Sequence, residues 1–283
     1  LLIVDCAPTA ETIRLLSFPD AARWYMHRLF PIGRRAATAL APVARTVIGI
    51  PLPDARVFDT IQDLYNRLER MRALLTQTET SSVRLVVNPE KMVIKEAQRT
   101  FTYLNLYGYA VDLVVCNRLL PPQALDGYFA GWKEGQARHL RAIEEAFSPV
   151  PVMTAPLLPY EVVGVEALGE LAGHLFGEQD PARLYYRGLT QQVQRDTGGY
   201  LLRLKLPFAR KESVNLLQSG EELVVQVGWY RRSIVLPRSL AGLSAQEAVL
   251  EGDTLVVRFP TRIPAHPRRR GREGGDLEGG RDG

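Results

Sequence analysis

The sequence predicts an α/β chain with two styles of β-structure, a mainly parallel sheet first and an antiparallel β-sandwich after it. Three observations carry that expectation. Up to about residue 180, short continuous apolar runs alternate with long helical patterns, the arrangement of a parallel sheet covered on both faces. From Tyr200 onward, apolar residues recur at every second position between Gly, Pro and Ser turns, as in a sandwich. The 283 residues are 46% hydrophobic and 23% charged, which supplies a sizeable core and excludes a disordered chain.

The elements follow in order. Leu1-Leu2-Ile3-Val4-Asp5 reads as a short buried strand ending in a carboxylate, then a turn through Ala7-Pro8-Thr9 and a helix over 11–17. Ala22, Tyr25, Met26, Leu29 and Phe30 space as a further helix within 20–36. Pro31 to Pro53 is rich in Ala, Gly and Pro and predicts no definite element. Phe58, Ile61, Leu64, Tyr65, Leu68, Met71 and Leu75 mark an amphipathic helix over 56–78. Strands at Val83–Val87, Val111–Cys116 and Val150–Met153 then alternate with helices at Glu90–Tyr107, Asp126–Phe147 and Val165–Phe176, the first helix closed by Gly108. In the second part the alternating residues are Leu202, Leu204 and Leu206, then Leu223, Val225 and Val227, then Ile234 and Leu236, then Leu255, Val257 and Phe259. These patterns divide the chain into a first domain (1–180), a linker (181–195), a β-sandwich (196–260) and a Gly/Arg/Pro-rich tail (261–283) that predicts disorder.

Charge and cysteine usage narrow the function classes. The net charge is +4, and the last 23 residues supply half of it, so no basic face for nucleic acid is implied. Cys6 and Cys116 are too few for a disulfide framework, and each sits in an apolar run that reads as a buried strand. That points to a reducing, cytoplasmic setting. No run approaches the roughly 18 apolar residues that span a bilayer, and the four apolar residues before Asp5 do not make a signal peptide. The chain opens without Met in the middle of an expected strand, which predicts further sequence upstream. His27, His139, His174 and His266 share no metal-ligand spacing. The aromatic stripe of Trp24-Tyr25-Met26 and Leu29-Phe30 reads as core or dimer packing in preference to a ligand box.

The strongest local signal is Asp5-Cys6-Ala7-Pro8-Thr9-Ala10-Glu11-Thr12-Ile13-Arg14. A carboxylate at the end of a buried strand lies where α/β sheets bind ligands. In nucleotide hydrolases such an Asp holds Mg²⁺, directly or through water, and the loop after it senses the γ-phosphate. The plainer alternative is an Asp capping the next helix. The segment resembles the switch II motif, Asp-Thr-Ala-Pro-Thr-Gly-His-Thr-Leu-Arg, of the ArsA-type anion-transporting and tail-anchored-protein-targeting ATPases, with Ala10-Glu11 in place of Gly-His. Asn88-Pro89-Glu90, Glu96, Arg99 and then Val115-Cys116-Asn117-Arg118-Leu119-Leu120 resemble that family's next strand–helix–strand unit, with the family's separation of 27 residues between Glu90 and Asn117. By this resemblance Asn117 reads adenine and Glu90 contacts the nucleotide across a dimer interface. An Asn amide carries both donors and an acceptor, as an adenine edge requires. On local chemistry alone, Asn117 makes an Asx turn and Glu90 offsets a helix N-terminus.

Ala155-Pro156-Leu157-Leu158-Pro159-Tyr160-Glu161-Val162-Val163-Gly164 resembles the family's adenine loop, where Pro156 and Leu157 form an apolar wall against the base. Leu204 to Phe208, Leu216 to Leu223, Val227 to Pro237 and Glu251 to Val257 resemble the α-crystallin-like domain appended to many bacterial members. Such a sandwich either accepts a partner strand at an edge or docks on its own ATPase part, and the sequence favours neither.

The resemblance runs from residue 1 to about 260 and implies a P-loop NTPase-type sheet lacking its Walker A half. No Gly-Lys dipeptide occurs, and the switch I sequence Asp-Pro-Ala-His-Asn is absent. The implied activity is ATP hydrolysis with Mg²⁺, driving opening and closing of a homodimer that serves a protein client or membrane-bound partner. Asp5 would organise Mg²⁺ through water, Thr9 would sense the γ-phosphate, and Glu90, Asn117, Pro156 and Leu157 would hold the nucleoside. The phosphate-cradling Lys and the water-positioning Asp must come from elsewhere, so these residues alone are expected not to turn over ATP. Zinc is not expected, because the stretch after Asn117 that holds a Cys-x-x-Cys pair in targeting members reads Tyr128-Phe129-Ala130-Gly131-Trp132-Lys133. Two thiols in separate runs also make a poor arsenite site. The rival reading is a non-catalytic, chaperone-like binding protein that uses its sandwich.

Overall fold

The computed structural model describes residues 1–6, 9–28, 30–32, 55–125 and 127–261. Most of the Pro31–Pro53 stretch and the tail after residue 261 lie outside the described residues. The first part opens on α1 (Thr9–Arg28) and α2 (Ala55–Leu75). It continues through β1 (Val83–Val87), α3 (Lys91–Tyr107), β2 (Val111–Leu119), α4 (Ala130–Phe147), β3 (Val152–Pro156) and α5 (Gly164–Phe176). The three strands form one parallel sheet in the order β1-β2-β3.

β2 is the centre of this sheet, and all residues from Val111 to Cys116 are buried. A run of β-branched and apolar residues suits a strand covered on both sides. One face of the sheet shares its core with Ile94, Ala97 and Leu104 of α3 and with Ile143 and Phe147 of α4. On the other face Leu113, Val115 and Ala155 meet Leu171, Leu175 and Phe176 of α5. Gly108 closes α3 at φ 86, the left-handed conformation that glycine adopts without a Cβ penalty. The Gly108 N–H donates to Asn105 O, and the Tyr109 N–H donates to Leu104 O.

Two expectations for the first 30 residues are corrected. Leu1 to Asp5 does not form a buried strand; the segment is irregular and exposed, with Leu1 98% accessible. A strand needs a ladder partner, and none of β1, β2 or β3 pairs with it. Cys6 is accordingly exposed, whereas Cys116 is buried as expected. The two helices expected over 11–17 and 20–36 are a single one, α1, which runs through Pro19. An interior proline costs about 3 kcal/mol of helix stability. Tertiary contacts outweigh it: Ile13, Asp20 and Met26 are buried, and Tyr109 Oη donates to Leu16 O at 2.9 Å.

Residues 181–195 were expected to form a linker, but their first half is pinned to the sheet. Arg84 of β1 faces the buried Asp112 of β2 at 3.4 Å and donates to Pro181 O and Arg183 O. Asp112 also accepts from the Tyr185 N–H at 3.2 Å. The second part begins within this stretch, with β4 (Gln191–Asp196) and β5 (Gly199–Lys205). β6 (Val214–Ser219), β7 (Glu222–Val227), β8 (Tyr230–Val235), β9 (Glu247–Glu251) and β10 (Thr254–Pro260) complete it. They form two antiparallel sheets, ordered β4-β5-β10-β9 and β6-β7-β8. Every residue singled out by its period-2 spacing, from Leu202 to Phe259, is buried.

The sandwich docks on the first part. A single hydrophobic cluster joins Leu104, Leu106 and Tyr107 of α3 to Leu202, Leu223, Ile234 and Phe259 of the sandwich. Thr102 Oγ1 donates to Pro207 O across the same contact.

Candidate functional site

Three strand ends and one irregular segment carry the residues singled out by the sequence. β1 runs alongside β2 with Val87 opposite Cys116, so Glu90, three residues on, and Asn117, one residue on, emerge at the same edge. β2 and β3 pair as far as Leu119 opposite Pro156, and the Leu157 N–H donates to Leu119 O at 2.8 Å. The fold therefore gathers Glu90, Asn117, Pro156 and Leu157 at the carboxyl edge of one sheet, where open α/β sheets bind ligands.

The register of β2 against β3 shifts between Cys116 and Leu119. Arg118, at the shift, holds φ 59, a conformation that costs a non-glycine residue roughly 1–2 kcal/mol. Asn117 Oδ1 accepts the Arg118 N–H at 2.9 Å and supports that turn. Gln136 of α4 fixes the chain just beyond, accepting from the Leu120 N–H at 2.8 Å and donating to Leu120 O at 3.0 Å. A bulge of this kind re-aims a side chain at a strand end. That bond reaches only the next residue, so it is not the two-residue Asx turn expected from local chemistry, and among the described residues the two amide N–H donors of Asn117 make no hydrogen bond.

Asn117 is half-buried, Pro156 is half-buried and Leu157 is exposed. Glu90 is the N-cap residue of α3, but its carboxylate makes no cap hydrogen bond, so that negative charge remains open to another partner. Tyr160, in the loop after Leu157, donates to Glu170 of α5 and ties the loop to that helix. An apolar wall beside an amide with free donors is what a flat heteroaromatic base with edge acceptors requires. The residues present suit the nucleoside of ATP.

Asp5 and Thr9 belong to the N-terminal segment and α1, outside the three strands that form this edge. Asp5 lies on the exposed irregular segment, and no hydrogen bond or ion pair joins it to Glu90 or Asn117 among the described residues. Thr9 begins α1, and Ala7-Pro8 lies outside the described residues. Mg²⁺ keeps several waters and is held by one or two carboxylates together with the substrate's phosphates, so a single Asp carboxylate suits it only in company with other groups. The described residues alone do not build a magnesium site. Sequence reasoning missed two contributors, Arg118 with its left-handed backbone and Gln136. An Asn before the bulge was a readable signal for the first; nothing local signals Gln136.

The family model described as anion-transporting ATPase matches residues 1–177. The chain belongs to the anion-transporting ATPase family. A second model, the HSP20-like domain found in ArsA, matches residues 197–259, so the sandwich is the family's HSP20-like domain. A relative from Aquifex aeolicus named as an arsenical pump-driving ATPase is 35% identical over 91% of this chain and 66% of its own length. A Chlorobaculum tepidum protein named likewise is 38% identical over 91% of this chain and 64% of its own. ATPase GET3B of Arabidopsis thaliana is 30% identical over 59% of this chain and 41% of its own length. The chain thus spans just under two thirds of the pump-driving relatives it matches. No helix among the described residues is long and apolar enough to cross a membrane.

Proposed function

We propose that this chain carries the adenine side of an ATP site in a nucleotide-driven homodimeric ATPase. Asn117 reads the adenine edge, Pro156 and Leu157 wall the base, and Glu90 meets the nucleotide across the interface between two copies. Asp5 organises Mg²⁺ through water and Thr9 senses the γ-phosphate, in company with a phosphate loop that these 283 residues do not contain. ATP supplies the phosphoanhydride whose cleavage drives the cycle; the residues here bind and orient its nucleoside. The client is a protein or a membrane-bound partner of unassigned identity.

The observation that carries this reading is the convergence of Asn117, Pro156 and Leu157 at one sheet edge, tied by the 2.8 Å Leu157–Leu119 hydrogen bond. Family membership supports the choice of ligand. Asn117→Ala, made in the protein expressed from its complete reading frame, is expected to weaken adenine-nucleotide binding roughly tenfold, the worth of one or two neutral hydrogen bonds. Titration with a fluorescent ATP analogue measures it. Unchanged affinity would remove Asn117 from the site, and ATP turnover by the 283-residue chain alone would overturn the division of labour.

A further inference from the structure

α1 belongs to two parts of the molecule at once. Its first turn follows directly on the Asp5–Thr9 segment. Its middle carries Asp20, 2% exposed, whose Oδ2 accepts from Arg72 Nε at 3.2 Å while Oδ1 has no hydrogen-bond partner among the described residues. Across the contact lies Arg232 of β8, also buried. Its Nη1 donates to Leu106 O at 2.7 Å and its Nη2 to Gln191 Oε1 at 3.1 Å, but its Nε has no hydrogen-bond partner among the described residues. Burial draws the guanidinium down to about 10 and the negative field of Asp20 opposes that, so the group stays charged at neutral pH.

An open donor and an open acceptor of opposite charge are therefore buried on two elements that touch, α1 and β8. Each costs stability while unpaired, and closer approach of α1 to β8, directly or through one water, relieves both. The neighbouring space permits such movement. A cleft of about 360 Å³ separates Ile13 and Arg14 of α1 from Thr100 and Tyr103 of α3 and from Trp229 and Tyr230 at the β7–β8 turn.

We propose that α1 is a lever between the nucleotide site and the HSP20-like sandwich, with Asp20 and Arg232 as the positioning pair that passes its displacement to β8. The proposal rests on the ATPase reading above, because the nucleotide must move the Asp5–Thr9 segment for α1 to shift. A ligand moves such an equilibrium only by its difference in affinity for the two arrangements. The sandwich is then the output arm of the ATPase, and its exposed surfaces change with nucleotide state.

Hydrogen–deuterium exchange on the protein from its complete reading frame tests this, with binding of a non-hydrolysable ATP analogue measured separately by calorimetry. With analogue bound, exchange in β8 is expected to change roughly fivefold or more, the low end of allosteric coupling. Exchange in β9, at the far edge of the other sheet, is expected to stay constant. Arg232→Lys, which keeps the charge but loses the fork, is expected to abolish the β8 response while the analogue still binds. Binding without any change at β8 in the unsubstituted protein overturns the lever and leaves the ATPase reading intact; that arm does not depend on the variant folding. A response that persists in Arg232→Lys overturns the role of Arg232. No binding of the analogue overturns the ATPase reading and the lever with it.

Discussion

Cys6 and Cys116 differ in the property that decides thiol chemistry, access of the thiolate. Burial pushes the Cys116 thiol up to about 11, and the charge of Glu144 adds to that; Cys6 is exposed. Near neutral pH the native chain is expected to react quickly with a disulfide reagent at Cys6 only, Cys116 reacting once denaturant is added. Cys6→Ser should leave no fast phase, and two fast thiols in the native protein would contradict the burial of β2. The sequence could not separate these cysteines, because both sit in apolar runs. Asn117 was legible, since few side chains combine donors and an acceptor at a strand end. The left-handed Arg118 beside it was not, because Arg carries no preference for that backbone.

At the scale of elements, period and residue type located β1, β2, α3, α4 and α5 and predicted which face of each sandwich strand is buried. They missed the continuity of α1, because the cost of Pro19 is local whereas the burial that offsets it comes from contacts distant in sequence. Pattern also names a face without naming its cover: Ile61, Leu64 and Met71 keep helical spacing on α2 yet remain exposed. The β5–β10 pair offers a test. Gly199 pairs with Pro260, and a Cβ there would lie 2.1 Å from Phe259 O. Backbone cannot yield as a flexible side chain does, so Gly199→Ala is expected to destabilise the chain by about 1–3 kcal/mol, the range for overpacking. A lower midpoint of urea unfolding at unchanged slope would register it. An unshifted midpoint would mean that the two strands do not approach as described.

For the whole molecule, one hydrophobic cluster runs through both parts. The chain is therefore expected to melt in a single transition with equal calorimetric and van't Hoff enthalpies, and two resolved transitions would contradict the shared core. Alkali is expected to weaken it in a defined window. Burial, helped by Asp20, raises Tyr109 from 10.0 to about 12, and burial raises Tyr107 in the same direction. A raised folded value stabilises fully below the unfolded value and is lost as pH rises through the folded one. The melting temperature should thus fall between about pH 10 and 12, and Tyr109→Phe should flatten the fall. Arg232, lowered by burial, works in the opposite sense there, one group against two.

The sequence by itself determined the two styles of β-structure, the residues at the sheet edge and, through Asp5–Arg14 and the Glu90–Asn117 spacing, the family. These are local properties, written in period, residue type and separation along the chain. Only the tertiary structure decided that Leu1 to Cys6 lies exposed, that the sandwich docks on α1 and α3, and that Asp20 and Arg232, 212 positions apart, are buried on two elements in contact. An apolar or charged side chain specifies what kind of neighbour it needs, and long-range packing selects which neighbour that is.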